Sequence, residues 1–227
     1  MTAAHPHALV TGCSSGIGLA ITRHLLDNGW QVTGLSRTRP QLEAGFEWLQ
    51  ADLSKPQELP AAVKDVGNIR AFVHAAGFQR AEILGRLDGN ALREMFAVHV
   101  DAAATLADAL VERLENNGRI LLIGSRTMSG NPGKSQYAAT KAALVGLGRS
   151  WAMELAPRGI TVNIIAPGPT DTPMLSDPGR ASVPPRIPPL GSLVDPRDVT
   201  ALAGLVLGPH GKSITGQQLT ICGGASL

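Results

Sequence analysis

Aromatic side chains make up only 4% of this 227-residue chain, cysteine occurs twice, and no run of lysine or arginine is present. Each scarcity excludes a class of function. There are few rings to stack on bases, and the 20 basic and 18 acidic residues are mixed along the sequence for a net charge of +2, so nucleic acid is not an expected partner. Cys13 and Cys222 stand at opposite ends without metal-ligand spacing, so no metal site is expected and both read as reduced structural thiols. No apolar stretch approaches the roughly 20 residues that span a bilayer, so no membrane association is expected. Met-Thr-Ala-Ala-His-Pro-His has neither the charged nor the apolar region of a secretory leader, and the expected location is cytoplasmic. Long Pro/Gly/Ser linkers and charge blocks are also missing, so residues 1–227 are expected to form one domain.

What is present is a 44% hydrophobic chain in which strand-like and helix-like segments alternate, the pattern of an α/β domain with a doubly wound parallel sheet. Strands are expected at 8–11, 31–35, 46–51, 69–74, 119–124, 160–165 and 218–222. Helices are expected at 17–28, ended by Gly29, weakly at 56–65, at 91–116, closed by Gly118, and at 136–156 and 196–207. From Pro173 to Pro196, both included, seven prolines stand among few periodic apolar residues, which reads as a mobile loop or lid over a site.

Ser-Gln-Tyr137-Ala-Ala-Thr-Lys141 puts a proton donor and a cation one helical turn apart, with Cβ atoms about 5–6 Å from each other. A nearby ammonium favours the phenolate and pulls a phenol's pKa of about 10 toward the working range, as a carbonyl reductase requires. Taken alone, such a pair is also an ordinary surface pair. Upstream, Thr11-Gly12-Cys-Ser-Ser-Gly16-Ile-Gly18 lies where the first strand turns into the first helix, and its glycines and free N–H groups suit a pyrophosphate. The spacing is Gly-x-x-x-Gly-x-Gly rather than the generic Gly-x-Gly-x-x-Gly.

That glycine spacing, with His74-Ala-Ala-Gly77, Ser125, Tyr137-x-x-x-Lys141 and Pro167-Gly168-Pro-Thr-Asp-Thr172, resembles the short-chain dehydrogenase/reductase family in order and separation over nearly the whole chain. The resemblance implies a Rossmann-type fold. It implies Tyr137 as catalytic acid/base, Lys141 as the group that lowers its pKa and holds the nicotinamide ribose, and Ser125 as the hydroxyl on the substrate oxygen. The alternative for Ser125 is a turn former at a strand end. Gly12, Ser14, Ser15, Gly16, Ile17 and Gly18 match the pyrophosphate turn. Asp52 and Leu53 match the adenine contact, with a helix cap as the alternative for Asp52. Ala75, Ala76 and Gly77 match the wall beside the adenosine ribose, and Pro167, Gly168, Thr170 and Thr172 the nicotinamide side. After the second strand, Leu35-Ser36-Arg37-Thr38-Arg39 carries no acid for a free ribose, so Ser36 and Arg37 point to NADP, with NAD the alternative.

Several positions depart from the family pattern. In Phe96-Ala-Val-His-Val100, His99 stands where the family usually has the Asn of a proton relay. A neutral imidazole there would hold a relay water, and the alternative is a core histidine satisfied by backbone. His74 replaces a common Asn, and Cys222 a common Asp. The expected function is NADP(H)-dependent interconversion of a ketone and a secondary alcohol, on a small-molecule substrate shaped by residues 126–136 and 175–194. The rivals are an NAD-dependent alcohol dehydrogenase and a non-catalytic dinucleotide-binding regulatory protein. The resemblance also implies a homodimer or homotetramer through the helices that carry Ala102 and Ala138.

Overall fold

A computed structural model describes residues 5–42 and 44–227; the absence of a leader, expected from the first seven residues, concerns mostly Met1–Ala4, which lie outside the described residues. Seven strands form one all-parallel sheet in the order β3-β2-β1-β4-β5-β6-β7. They are β1 His7–Thr11, β2 Gln31–Ser36, β3 Phe46–Gln50, β4 Ile69–His74, β5 Leu114–Ile123, β6 Thr161–Pro167 and β7 Gln218–Ile221. The chain winds outward from β1 in one direction and then, from β4, in the other. The switch point therefore falls between β1 and β4, and a crevice opens there at the carboxyl ends of the strands.

Successive strand residues point to opposite faces, and each face has its own core. Leu9, Phe72, Ile120, Leu122 and Ile164 are buried with Leu106 and Leu110 of α4 (Ala102–Leu110) and Leu144 of α5 (Ser135–Leu155). On the other face Val10, Val73, Leu121 and Ile165 are buried with Ile21 and Leu25 of α1 (Gly16–Asp27) and Val199, Ala203 and Val206 of α6 (Pro196–Leu207). Full burial of each such side chain contributes about 1.5–3 kcal/mol. The start of α6 follows from sequence: Asp195 accepts the Arg197 N–H at 2.7 Å as N-cap, and Pro196 occupies the first turn, where its missing N–H costs nothing.

Three expectations are corrected. The helix expected over 56–65 is a 3-10 turn at Pro56–Glu58 and a single α-turn, α2 (Leu59–Ala62), because Pro60 removes a donor from so short a segment. The helix expected over 91–116 is divided into α3 (Gly89–Phe96), a π-helical turn at Ala97–Asp101 and α4, and β5 already begins at Leu114. The polar residues Glu115–Gly118 do not extend a helix. They form an excursion of β5, whose ladder with β4 jumps from Ile69↔Leu114 to Ala71↔Arg119. The proline-rich stretch contains 3-10 turns at Pro173–Ser176 and Pro178–Arg180 and is tied down on both sides. Arg80 Nη1 pairs with Asp177 at 3.2 Å, Ala81 N donates to Gly179 O at 3.0 Å, and Leu190 N donates to Gly223 O at 3.1 Å. Among the described residues no helix is long and apolar enough to cross a membrane.

Candidate active site

A cleft of about 590 Å³ runs over the switch point, and the β1–α1 turn forms its floor. Gly12 takes φ +69°, and a Cβ there would lie 2.8 Å from the Ala76 backbone, so only glycine lets this turn pack against the segment after β4. Thr11 locks the two together. Its hydroxyl accepts the Ala75 and Ala76 N–H groups, both at 3.2 Å. Helix α1 starts at Gly16 behind Ser15, which offers no side-chain cap, and its first turn carries no acidic residue. The open N–H groups and positive end of this twelve-residue helix fit a dinucleotide diphosphate. Farther along, Arg37 lines the cleft beyond β2, exposed. Ser36 lines it too, but its hydroxyl is engaged: it donates to Thr38 O at 2.8 Å and receives Trp48 Nε1 at 3.1 Å and Cys13 Sγ at 3.2 Å. Asp52 caps Ser54, accepting its N–H and hydroxyl at 3.1 and 2.8 Å.

At the other end of the cleft, Tyr137 and Lys141 project from the first two turns of α5, both buried, and Ser125 closes β5. Ser125 also forms the turn that was its alternative reading, since its hydroxyl meets Thr127 Oγ1 at 2.8 Å and accepts the Thr127 N–H. Lys141 Nζ donates to Ile123 O at 2.8 Å and sits 6.0 Å from the Tyr137 ring centre. Burial alone pushes the Lys141 ammonium down to about 7. Burial pushes the Tyr137 phenol up, while the Ser125 hydroxyl and the Arg180 guanidinium pull the other way. The net shift is thus opposite to the lowering expected, because desolvation of the phenolate outweighs the Ser125 hydroxyl and the Arg180 charge.

Every residue singled out for catalysis or cofactor contact lines this cleft except His99. His99 lies behind the wall, in the π-helical turn. The Phe78 N–H donates to its Nε2 at 3.1 Å, so the ring proton is on Nδ1, donated to Thr140 Oγ1 at 2.8 Å. Thr140 Oγ1 in turn donates a hydrogen bond to the backbone carbonyl of Tyr137 at 2.8 Å. Both ring nitrogens are therefore engaged within the fold, the arrangement of the alternative reading, a core histidine satisfied by its neighbours. The wall needs Gly77, because a Cβ there would come within 2.9 Å of His99 Nε2 and 3.2 Å of Lys141 Nζ.

Sequence reasoning named His74 without foreseeing its contacts, and it missed several other residues. His74 donates from Nε2 to Val98 O at 3.0 Å, inside the π-helical turn, and accepts the Thr11 hydroxyl on Nδ1 at 3.0 Å. It ties the irregular helix to the nucleotide turn. Burial, and then the Lys141 charge, pushes its pKa down to about 3. Gln79, Arg80, Lys134 and Arg180 also line the cleft. Lys134, three residues before Tyr137, carried a usable signal in its helical spacing; the others become neighbours only through the proline-rich strap.

A family model described as enoyl-(acyl carrier protein) reductase matches residues 12–226. The 3-oxoacyl-[acyl-carrier-protein] reductase FabG of Vibrio cholerae is 32% identical over 235 aligned positions, covering 96% of this chain and 96% of that protein. The crystal structure of a short chain dehydrogenase from Burkholderia cenocepacia in complex with NADP superposes with a TM-score of 0.83 at 33% identity, over 98% of each chain. That of 3-ketoacyl-(acyl-carrier-protein) reductase from Brucella melitensis complexed with NADH gives 0.86 at 25% identity, again over 98% of each. With the switch-point cleft and the Ser125, Tyr137 and Lys141 cluster, these matches establish that the chain belongs to the short-chain dehydrogenase/reductase family, as an NAD(P)-dependent oxidoreductase acting on CH–OH groups.

Proposed function

We propose that this protein reduces a ketone to a secondary alcohol with NADPH, Tyr137 delivering the proton. The observation that carries the reading is that Ser125, Tyr137 and Lys141 line one cleft with an uncapped helix N-terminus and Arg37. When bound, the nicotinamide supplies the hydride. Charge that develops on the carbonyl oxygen meets the Ser125 and Tyr137 hydroxyls, and the phenol gives up its proton to the alkoxide. Lys141 stabilises the resulting phenolate and orients the nicotinamide ribose, while Gly12 to Gly18 hold the diphosphate and Arg37 the 2′-phosphate. Asp52, Leu53, Ala75 and Ala76 line the adenosine half, and Pro167, Gly168, Thr170 and Thr172 the nicotinamide half. His99 acts as a positioning residue, fixing Phe78 and Thr140 around the phenol.

The Vibrio cholerae and Brucella melitensis relatives, named for 3-oxoacyl substrates, support a carbonyl substrate. NADH in the latter keeps an NAD-dependent dehydrogenase as the second reading of cofactor choice. The regulatory-protein reading is disfavoured by the intact triad. The proposal includes a cytoplasmic dimer or tetramer through α4 and α5, for which the exposed Met153 on α5 is the supporting feature. Oxidation of NADPH and of NADH followed across a ketone panel tests the function: rapid NADPH oxidation with at least one ketone is expected. Cofactor binding without turnover of any ketone, or of any alcohol in reverse, would leave the regulatory reading in its place.

A further inference from the structure

The substrate half of the cleft carries donors short of acceptors; the Arg180 guanidinium meets only Met174 O, at 3.4 Å through Nη1. Lys134 is 8% exposed, Arg180 6% and Gln79 4%, and all three line the cleft beside Tyr137. Arg180 Nε and Gln79 Nε2 are sealed from solvent and meet no hydrogen-bond acceptor among the described residues. Nor does Lys134 Nζ meet a carboxylate within salt-bridge distance there. Among the acidic residues on the cleft, Asp177 pairs with Arg80 and its charge also reaches Arg180, Asp52 caps Ser54 at the far end beside Arg37, and Glu94 is exposed, so none pairs with Lys134. Burying cations and amide donors without partners is costly, and proteins retain such groups where a ligand completes them.

Their placement is set by the fold. Lys134 precedes α5, and its carbonyl accepts the Ala138 N–H at 2.7 Å, so its side chain leaves from the turn that carries Tyr137. Arg180 comes from the strap, anchored through Asp177 and Gly179 to Arg80 and Ala81. Arg126 lines the cleft as well, and after desolvation the Arg180 and Arg126 charges are what push Lys134 down to about 8.

We infer that the substrate of the proposed reductase is itself an anion, a short ketone whose carboxylate or phosphate is gripped between Lys134 and Arg180 with the Gln79 amide, while its carbonyl faces Tyr137. The reaction balances as ketone plus NADPH plus a proton giving secondary alcohol and NADP; the anion takes no part in it. This inference rests on the reading of the cleft as a ketone reductase and narrows it, since a neutral 3-oxo ester leaves the two cations without a counter-charge.

Titration calorimetry of the protein with saturating NADP, where no hydride is available, separates the two claims. 4-Oxopentanoate is expected to bind at least about tenfold more tightly than its methyl ester, the scale of one charge-assisted contact. Dihydroxyacetone phosphate against dihydroxyacetone is the phosphate arm, and the larger ratio identifies the anion. Lys134→Met and Arg180→Leu should each bring the ratio toward one, and Lys134→Arg should keep it; NADP affinity in each variant verifies the fold. Equal binding of acid and ester, with no advantage for the phosphate, or a ratio that survives in both Lys134→Met and Arg180→Leu, would overturn the inference. Selective anion binding without turnover under NADPH would instead overturn the reductase reading and leave standing only the anion grip of Lys134 and Arg180.

Discussion

The backbone N–H of Phe78 donates to Nε2 of His99 at 3.1 Å, which makes that nitrogen an acceptor and fixes the ring as a neutral Nδ1–H tautomer. Burial, followed by the charges of Lys141 and His74, holds its pKa well below the ordinary imidazole value. A protonated ring would turn a second donor toward the Phe78 N–H, so the neutral form is the one that fits.

His99 therefore contributes no acidic limb to the rate between about pH 5 and 8, the span in which an unperturbed imidazole would titrate. The kcat profiles of wild type and His99→Asn should share their acidic side. His99→Ala, which leaves Phe78 N and Thr140 without their partner, should lower kcat at every pH. An acidic limb present in wild type and absent from His99→Asn would restore a proton-transfer role for the ring.

Tyr137→Phe removes one hydroxyl from a buried ring that also packs edge-on against His99 at 5.7 Å between centres, so the packing is retained. Turnover should fall by about 10²–10⁴-fold, the usual contribution of general acid catalysis, with NADPH affinity within a few-fold of wild type. Single-turnover kinetics beside a cofactor titration check both halves of the statement.

In the proposed function, cofactor choice turns on Arg37. Arg37→Ala should weaken NADPH about 10- to 150-fold, equivalent to the loss of one charge-assisted contact of about 1.5–3 kcal/mol, and leave NADH nearly unaffected. A carboxylate intended to recruit NADH belongs at position 37 itself. Ser36 is enclosed by Thr38 O, Trp48 and Cys13, and an aspartate there would face a carbonyl. Arg37→Asp should move preference toward NADH, read as the ratio of kcat/KM for the two cofactors.

Legibility in the sequence followed how local each signal was. The bounds of β4 and α6 coincide with expectation because a short, largely apolar segment and an Asp-Pro start are local facts. The π-helical turn was not legible, because it is held by a contact from outside the helix, His74 Nε2 to Val98 O. Tyr137 and Lys141 were legible from a four-residue spacing. Arg180 and Gln79 were not: their significance is a missing acceptor, and only the folded strap brings them to Lys134.

The two buried histidines make stability depend on acidity. The folded-state pKa of His74 is about 3 against an ordinary 6.5, so between those values the unfolded chain binds more protons and each fall in pH favours unfolding. The contribution is fully present above about pH 6.5 and is lost below it at about 1.4 kcal/mol per pH unit for each ring. Urea denaturation at pH 7.5, 6.5 and 5.5 should show this fall. His74→Asn should lower the slope by about one proton whatever its effect on absolute stability, and an unchanged slope would mean that the ring is not buried neutral.

Lys141 gives the last prediction. Its ammonium is pushed down to about 7 by burial alone, so at pH 8 most of the folded protein without cofactor carries it neutral, donating to Ile123 O at 2.8 Å. A dinucleotide brings an anionic diphosphate and ribose oxygens into the same cleft, and each favours the charged form of the lysine. Binding at pH 8 should accordingly draw in a proton, up to one per site, whereas at pH 6, where the group is already charged, little uptake is expected. Calorimetric titration with NADP in buffers of different ionisation enthalpy measures that number directly. Lys141→Met should abolish the uptake at pH 8 while Tyr137→Phe retains it, because the phenol, raised by burial, is protonated before and after. Equal uptake in wild type and Lys141→Met would assign the proton to another group and remove the physical basis for Lys141 as the charge that steadies a phenolate during turnover.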